Sequence, residues 1–225
     1  MIPIRDVIPS RTTPFVTFSL ISANALAFLC QRSLDATGLA RSIDLLALVP
    51  AHLSLATAPT LITAIFLHAS WPHLLGNLLF LWIFGDNVED RFGHGRFAAF
   101  YLVAGVAANL AQVAADSASI VPIVGASGAI AAVMGAYFVM FPKSRVVMLI
   151  WLVFYVDFVE IPAVLFLGCW FILQFLGGLG QTAVASTGGV AFFAHIGGFA
   201  LGALTGRLLA RPERTAVAWW DQTTG

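Results

Sequence analysis

Charge is the scarcest ingredient of this 225-residue chain. It carries 11 basic and 11 acidic side chains, 10% of the total, for zero formal net charge. A soluble domain carries about 25% charge, and a water-facing surface of ordinary size cannot be built from so little. Disorder is excluded as well, since 60% of the residues are hydrophobic. With no basic excess to hold phosphates, the composition speaks against nucleic-acid binding. Cysteine is nearly absent. Cys30 and Cys169 both sit in apolar runs, so neither a disulfide framework nor a CxxC metal or redox site is present. The N-terminus lacks a clean signal-peptide pattern: its first 14 residues are mixed and proline-punctuated, and no small-x-small cleavage site follows. No repeat or low-complexity tail appears. What is abundant is apolar length, with a mean hydropathy of +0.92. The expectation is a single membrane domain over 1–225, with a core of about 14–210 and short tails.

A crossing helix needs about 20 apolar residues. The first span is expected over Phe15–Gln31, with Asn24 its only strongly polar interior residue. Residues 32–64 form a long connection holding Asp35, Arg41, Asp44, Pro50 and Pro59. Its semi-apolar stretches predict short interfacial helices or a loop partly sunk in the membrane. A second span runs over Trp71–Ile83, closed by Asp86, Glu89, Asp90 and Arg91, with Glu89 and Arg91 a candidate pair. A third covers Phe97–Ala115. The fourth, Ser127–Phe141, makes only about 22 Å of helix, so its end is expected inside protein. Residues 146–158 are too short an apolar run to cross and are read as interfacial. A fifth span follows over 160–177 and a sixth over Val190–Leu209. The fold class is therefore an all-α polytopic bundle of six spans.

The distribution of cations supports that count. With the N-terminus inside, one face receives Arg5, Arg11, Arg91, Arg96, Lys143, Arg145, Arg207, Arg211 and Arg214, and the other only Arg32 and Arg41. Both ends are then cytosolic. A bacterial cytoplasmic membrane is the expected location, since no organelle presequence is seen.

Polar groups within a bilayer are costly and are functional suspects. Six spans bring His68, His73, Asn77, Ser127 and His195 to the same outer depth, from three segments distant in sequence. One crossing more between 146 and 176 would put His195 opposite Ser127. Ser127 lies in Gly125-Ala126-Ser127-Gly128, just before an apolar helix whose unpaired N–H groups suit a developing oxyanion. The competing reading is a small serine packed between helices. His195 precedes Gly198, Gly202 and Gly206, a smooth stripe against which another helix backbone can pack. If the fourth helix packs there, Ser127 and His195 come within about 3 Å, as nucleophile and general base. The sixth span has no Asp or Glu, which predicts a dyad; a buried structural histidine is the alternative. His73 and Asn77 are i and i+4 on one face, fit for an oxyanion hole or for a structural polar pair. His68, off that face, is expected to order the helix entrance. No HExxH motif or nearby acidic ligand points to a metal. The run from Gly85 to Gly105 lies on the far side from Ser127 and reads as scaffold, with Gly93 and Gly95 relieving crowding.

Four segments together resemble the rhomboid family of intramembrane serine proteases: "HASWPHLLGNLLFLWIFGDNVEDRFG", "GASGAIAAVMGAYFVMFPKSRV", "IPAVLFLGCWFILQF" and "AHIGGFALGALTG". The resemblance implies Ser127 as nucleophile, His195 as base, and His73 and Asn77 as oxyanion helpers. It also implies a first outer loop dipping into lipid (33–64) and a lateral gate for substrate near 160–177. Transmembrane proteins approaching through the lipid are the implied substrates, small at the cleavage point, with no cofactor or metal. Gly125 and Gly128 agree with a site that admits little bulk. One departure stands out. Many members carry a Trp-Arg pair in the first outer loop, and no Trp lies in residues 1–70 here. Two other classes compete: an inactive relative that binds or chaperones membrane helices, which would lack Ser127 or His195, and a small transporter, which would want polar groups at the bilayer midplane. No sequence signal bears on oligomeric state.

Overall fold

A computed structural model describes residues 1–152, 155–183 and 190–211. In chain order these form β1 (Ile2–Asp6), α1 (Phe15–Ser33), α2 (Ala36–Leu46), α3 (Thr60–Thr63), α4 (Trp71–Phe92), α5 (His94–Ala115), α6 (Ser127–Met140), β2 (Arg145–Leu152), β3 (Tyr155–Pro162), α7 (Ala163–Ala183) and α8 (Phe192–Leu209). Among the described residues four helices are long and apolar enough to cross a membrane: α1, α5, α7 and α8. Residues Thr60–Phe66 and Trp71–Phe92, bent by 94°, make a fifth if taken as one span. The chain is a multi-pass membrane protein. Helix α6, at 14 residues, is shorter than a crossing helix and is buried from Gly128 to Tyr137. Protein therefore surrounds it, as its length requires.

The packing of α6 against α8 is set by glycine. A Cβ on Gly198 would land on the carbonyl oxygen of Gly128, and one on Gly202 on that of Ala132. One on Gly206 would stand 2.8 Å from Ala136 Cα. Gly135 returns the fit from α6, meeting the Phe199 carbonyl. The stripe at 198, 202 and 206 thus brings two backbones into direct contact.

Among the described residues two helices, α1 and α8, take their N-terminal caps from a neighbour. Nothing at Pro14 caps α1. Instead Glu89, fully buried on α4, accepts from the backbone N–H of Val16 (2.9 Å) and Thr17 (2.7 Å) and from the Thr17 hydroxyl (2.7 Å). A carboxylate is favoured at a helix N-terminus by the exposed amides and the dipole. This corrects the expected Glu89–Arg91 pair: Glu89 lies 2.6 Å from His94 Nδ1, and Arg91 stands over the Phe141 ring at 4.9 Å. Residues i and i+2 point to different sides of a helix. For the same reason α4 does not stop at Ile83. Its charged last turns are buried against α1 and β1, and the helix ends at Gly93, whose φ of 80° suits glycine.

The described residues of the run 146–158, expected as a single segment near the interface, lie in two paired antiparallel strands. Strand β2 pairs with β3 from Arg145↔Pro162 to Leu152↔Tyr155, and β1 adds to the other edge of β2. Val146 and Met148 join the helical core, whereas Trp151, Val156 and Phe158 are exposed. Strand β2 is apolar on both faces after Arg145, so no alternation marks it. Residues 160–162 therefore belong to β3, and the helix expected from 160 starts at Ala163 and runs to Ala183. Arg214 falls outside the described residues.

At this end of the bundle, away from Ser127, Asp6 of β1 meets α4 and α6. Its Oδ2 accepts from Tyr137 Oη (2.5 Å) and Asn87 Nδ2 (2.9 Å). Burial pushes the Asp6 carboxyl up to about 7 from its ordinary 3.8; the Tyr137 hydrogen bond opposes the rise and Asp86 adds to it. The folded chain holds this proton more tightly than the unfolded chain. Its contribution to stability therefore falls as pH rises from about 4 through about 7. In D6N this loss is expected to shrink, read as a smaller difference between thermal unfolding at about pH 5 and about pH 8. An unchanged difference would mean that another group carries the dependence.

The long connection 34–70 is braced without tryptophan. Leu48 and Ile123 form an antiparallel bridge, with N–H···O distances of 3.2 and 2.7 Å. Ala51 N–H donates to Ser119 O (2.9 Å), and Asn109 Nδ2 on α5 donates to Leu61 O (2.9 Å). Ala47, Leu48, Ala64 and Ile65 are buried. Backbone pairing with the loop that leads into α6 thus ties this connection to the approach to Ser127.

Candidate active site

Ser127 is the first residue of α6 and is half-buried. Ala126 offers no side-chain cap, so the first amides of α6 have no partner from its own N-cap. Gly125, two residues earlier, has a φ of 126° and donates its N–H to Ala64 O at 2.9 Å. A Cβ there would meet the His73 ring at 2.7 Å and lie 3.7 Å from Asn77 Nδ2. Glycine is required twice over, by the backbone and by the histidine. His73 and Asn77 thus face the turn that delivers Ser127. Gly128 has a different duty. A Cβ on it would stand 2.7 Å from Ala108 Cβ and 3.6 Å from Ala194 Cβ, so it lets α5 and α8 close around α6.

His195 lies in the first turn of α8, buried at 8% exposure. Its Nε2 stands 2.7 Å from Ser127 Oγ. Helix α8 has no cap of its own at Ala191. Gln112 of α5 supplies it, with Oε1 accepting from Phe193 N–H (3.0 Å) and Ala194 N–H (3.2 Å). The turn that carries His195 is thereby pinned to α5. On the other side of the ring, His195 Nδ1 stands 2.7 Å from Gln174 Oε1 of α7. The Trp170 ring, one turn earlier on α7, lies 5.8 Å away at 38°.

His68 precedes α4 at the bend, and it does more than order the helix entrance. Asn77 Nδ2 lies 3.0 Å from His68 Nε2. An amide nitrogen only donates, so this ring nitrogen accepts. The His68 backbone is held in turn by Gln31 Oε1 at 3.0 Å, and its ring packs edge-on to His73 at 5.1 Å. The five residues singled out from the sequence are therefore gathered: Ser127 with His195, His73 and Asn77 at Gly125, His68 behind Asn77. Gln174 and Gln112 were missed. Each is a polar side chain within a long apolar stretch, and that is the signal the sequence offers. Among the described residues no group of three His, Cys, Asp or Glu side chains is placed to hold a metal ion.

The arrangement has a hydroxyl on a ring nitrogen, a second acceptor fixing the other ring nitrogen, and donors beside a helix N-terminus. Such a set can activate an oxygen nucleophile and hold an oxyanion. The chain is also similar to known proteins. A family model described as "Rhomboid domain" matches residues 56–212. Rhomboid-like protein 11, chloroplastic, of Arabidopsis thaliana is 40% identical over 48% of this chain and 34% of its own length. Rhomboid protein 1, mitochondrial, of Saccharomyces cerevisiae is 26% identical over 68% of this chain and 42% of its own. Rhomboid protease GluP of Bacillus subtilis is 42% identical over 34% of this chain and 14% of its own. The matches thus span less than half the length of these relatives.

Proposed function

The chain belongs to the rhomboid family, and from that premise we propose that it is an intramembrane serine endopeptidase working through Ser127 and His195. The observation that carries this reading is the 2.7 Å contact between Ser127 Oγ and His195 Nε2. His195 Nε2 takes the hydroxyl proton as Ser127 Oγ attacks the scissile carbonyl carbon. The tetrahedral oxygen is held by the Ser127 N–H, His73 and Asn77. His195 then protonates the leaving amine, and water, deprotonated by the same ring, hydrolyses the acyl-enzyme. His68 keeps the Asn77 side chain turned towards the site.

The substrate is a transmembrane protein that reaches the site sideways from lipid. Helix α7 is the gate. It is the least buried of the four spanning-length helices, 17% of its apolar window against 44% for α5. Its ring contacts with α4, Phe166 on Phe80 and Phe84, lie near its first turn. Counting α4 and the short α6 with the other four gives six crossings and puts both termini on one side. The basic residues then mark that side as cytosolic, in a bacterial inner membrane, with the connection 33–64 sunk in the outer leaflet.

The test is labelling of the detergent-purified protein by a fluorescent phosphonate that reacts with activated serines. Wild type is expected to label, and S127A and H195A are not. A folded wild type that stays unlabelled would favour a non-catalytic protein that binds membrane helices. Labelling that survives S127A would place the nucleophile elsewhere.

A further inference from the structure

A neutral imidazole has one N–H, and the partner at one nitrogen decides which nitrogen carries it. His195 uses Nε2 towards Ser127, so its tautomer is decided at Nδ1. There the partner is Gln174 Oε1, at 2.7 Å. An oxygen accepts only, so Nδ1 carries the proton and Nε2 keeps a lone pair for the serine hydroxyl. With the amide turned over, its NH2 group would donate to Nδ1. Nε2–H would then point at Ser127 and no base would exist. A glutamine does this in a bilayer at lower desolvation cost than a carboxylate.

The second observation is where Gln174 sits. Residues 170, 171, 174, 177 and 178 share one face of α7. Trp170 lies against the His195 ring, and Phe171 stacks on Phe199 of α8 at 4.7 Å. Gly177 lies against the Phe192 ring, and a Cβ on Gly178 would stand 3.5 Å from Phe192 Cβ. Gln174 is thus in the middle of the α7 face docked on α8. Its side chain makes a polar contact there, and that contact ends on the base.

We propose that Gln174 is a positioning residue that selects the active tautomer of His195, so that the dyad is competent only while α7 is docked on α8. The proposal rests on the protease reading above. A substrate that displaces α7 to enter also disconnects the base, and cleavage waits until α7 closes again. The groups facing the His195 ring are Ser127 from α6 and Gln174 and Trp170 from α7, with His73 of α4 the titratable side chain that acts on it through space.

The test uses Q174L, which keeps the shape and removes the acceptor, and Q174E, which keeps the acceptor and adds a charge. Both are assayed in liposomes for cleavage of a single-span substrate and in detergent for phosphonate labelling. Q174L is expected to lower kcat and the labelling rate together by about 10- to 100-fold, with KM changed by less than about twofold. Q174E is expected to recover kcat to within about fivefold of wild type. It should also move the acid limb of kcat/KM to higher pH, since a carboxylate favours the imidazolium. A purely structural glutamine would change KM or thermal stability and leave Q174E no better than Q174L. That result, or Q174L within about twofold of wild-type kcat, would overturn the proposal. If Q174L does not fold, Q174E decides by its kcat and its acid limb. A wild type that neither labels nor cleaves would instead overturn the protease reading beneath it.

Discussion

S127A is expected to cleave a single-span substrate in liposomes about 10⁴-fold or more slowly than wild type, with H195A equally impaired. The reason is that the proposed mechanism gives the two side chains one task. Neither a hydroxyl without a base nor a base without a hydroxyl begins acyl transfer. The losses are therefore not additive, and S127A/H195A should be no slower than either single variant. Ser127 is half-buried at a helix start, so removing one oxygen leaves the fold intact and the loss belongs to chemistry. S127A retaining more than about 1% of wild-type turnover would sink the assignment.

The largest effect on stability is expected from G202A, the addition of a single methyl group. On α8 that methyl would fall on the Ala132 carbonyl oxygen, with Ala132 C at 2.7 Å and Cα at 2.9 Å. These are backbone atoms of a helix and cannot turn aside, so α6 and α8 must separate. Overpacking costs about 1–3 kcal/mol when side chains can adjust, and here they cannot. A loss of about 3 kcal/mol or more is expected, roughly 10 °C in thermal unfolding for a chain of this size. The same two helices hold the 2.7 Å contact between Ser127 and His195. Cleavage should therefore fall about 100-fold even in the fraction that folds, since an error of about 1 Å is enough. G76A is the matched control, because a Cβ on Gly76 meets nothing within 4 Å. It should unfold at or slightly above the wild-type temperature. Equal stability of G202A and G76A would refute the packing account.

Much of this protein is legible from residues alone. Low charge and long apolar runs determine a multi-pass membrane protein, and the expected spans at 15–31, 97–115, 127–141 and 190–209 fall on α1, α5, α6 and α8. The glycines at 198, 202 and 206 announce a close helix contact before any partner is known. Ser127 and His195 are conspicuous because polar groups are rare in such segments. These are properties of single segments, set by hydropathy and helical period.

The tertiary structure decided the rest, because a hydrogen bond between distant segments leaves no local period to read. The apolar run at 146–158 becomes a hairpin because β1, more than 130 residues earlier, supplies its third strand. Glu89 caps α1 and leaves Arg91 to the Phe141 ring, since the buried amides it meets lie 72 residues away in sequence and Arg91 points to another side of α4. His68 reaches Asn77 across the bend before α4. Gln174, which no motif singled out, meets His195 only once α7 is packed on α8. Composition and spacing thus determined the solvent of this chain and most of its helices; which polar group each buried donor and acceptor would find was decided only when the helices closed on one another.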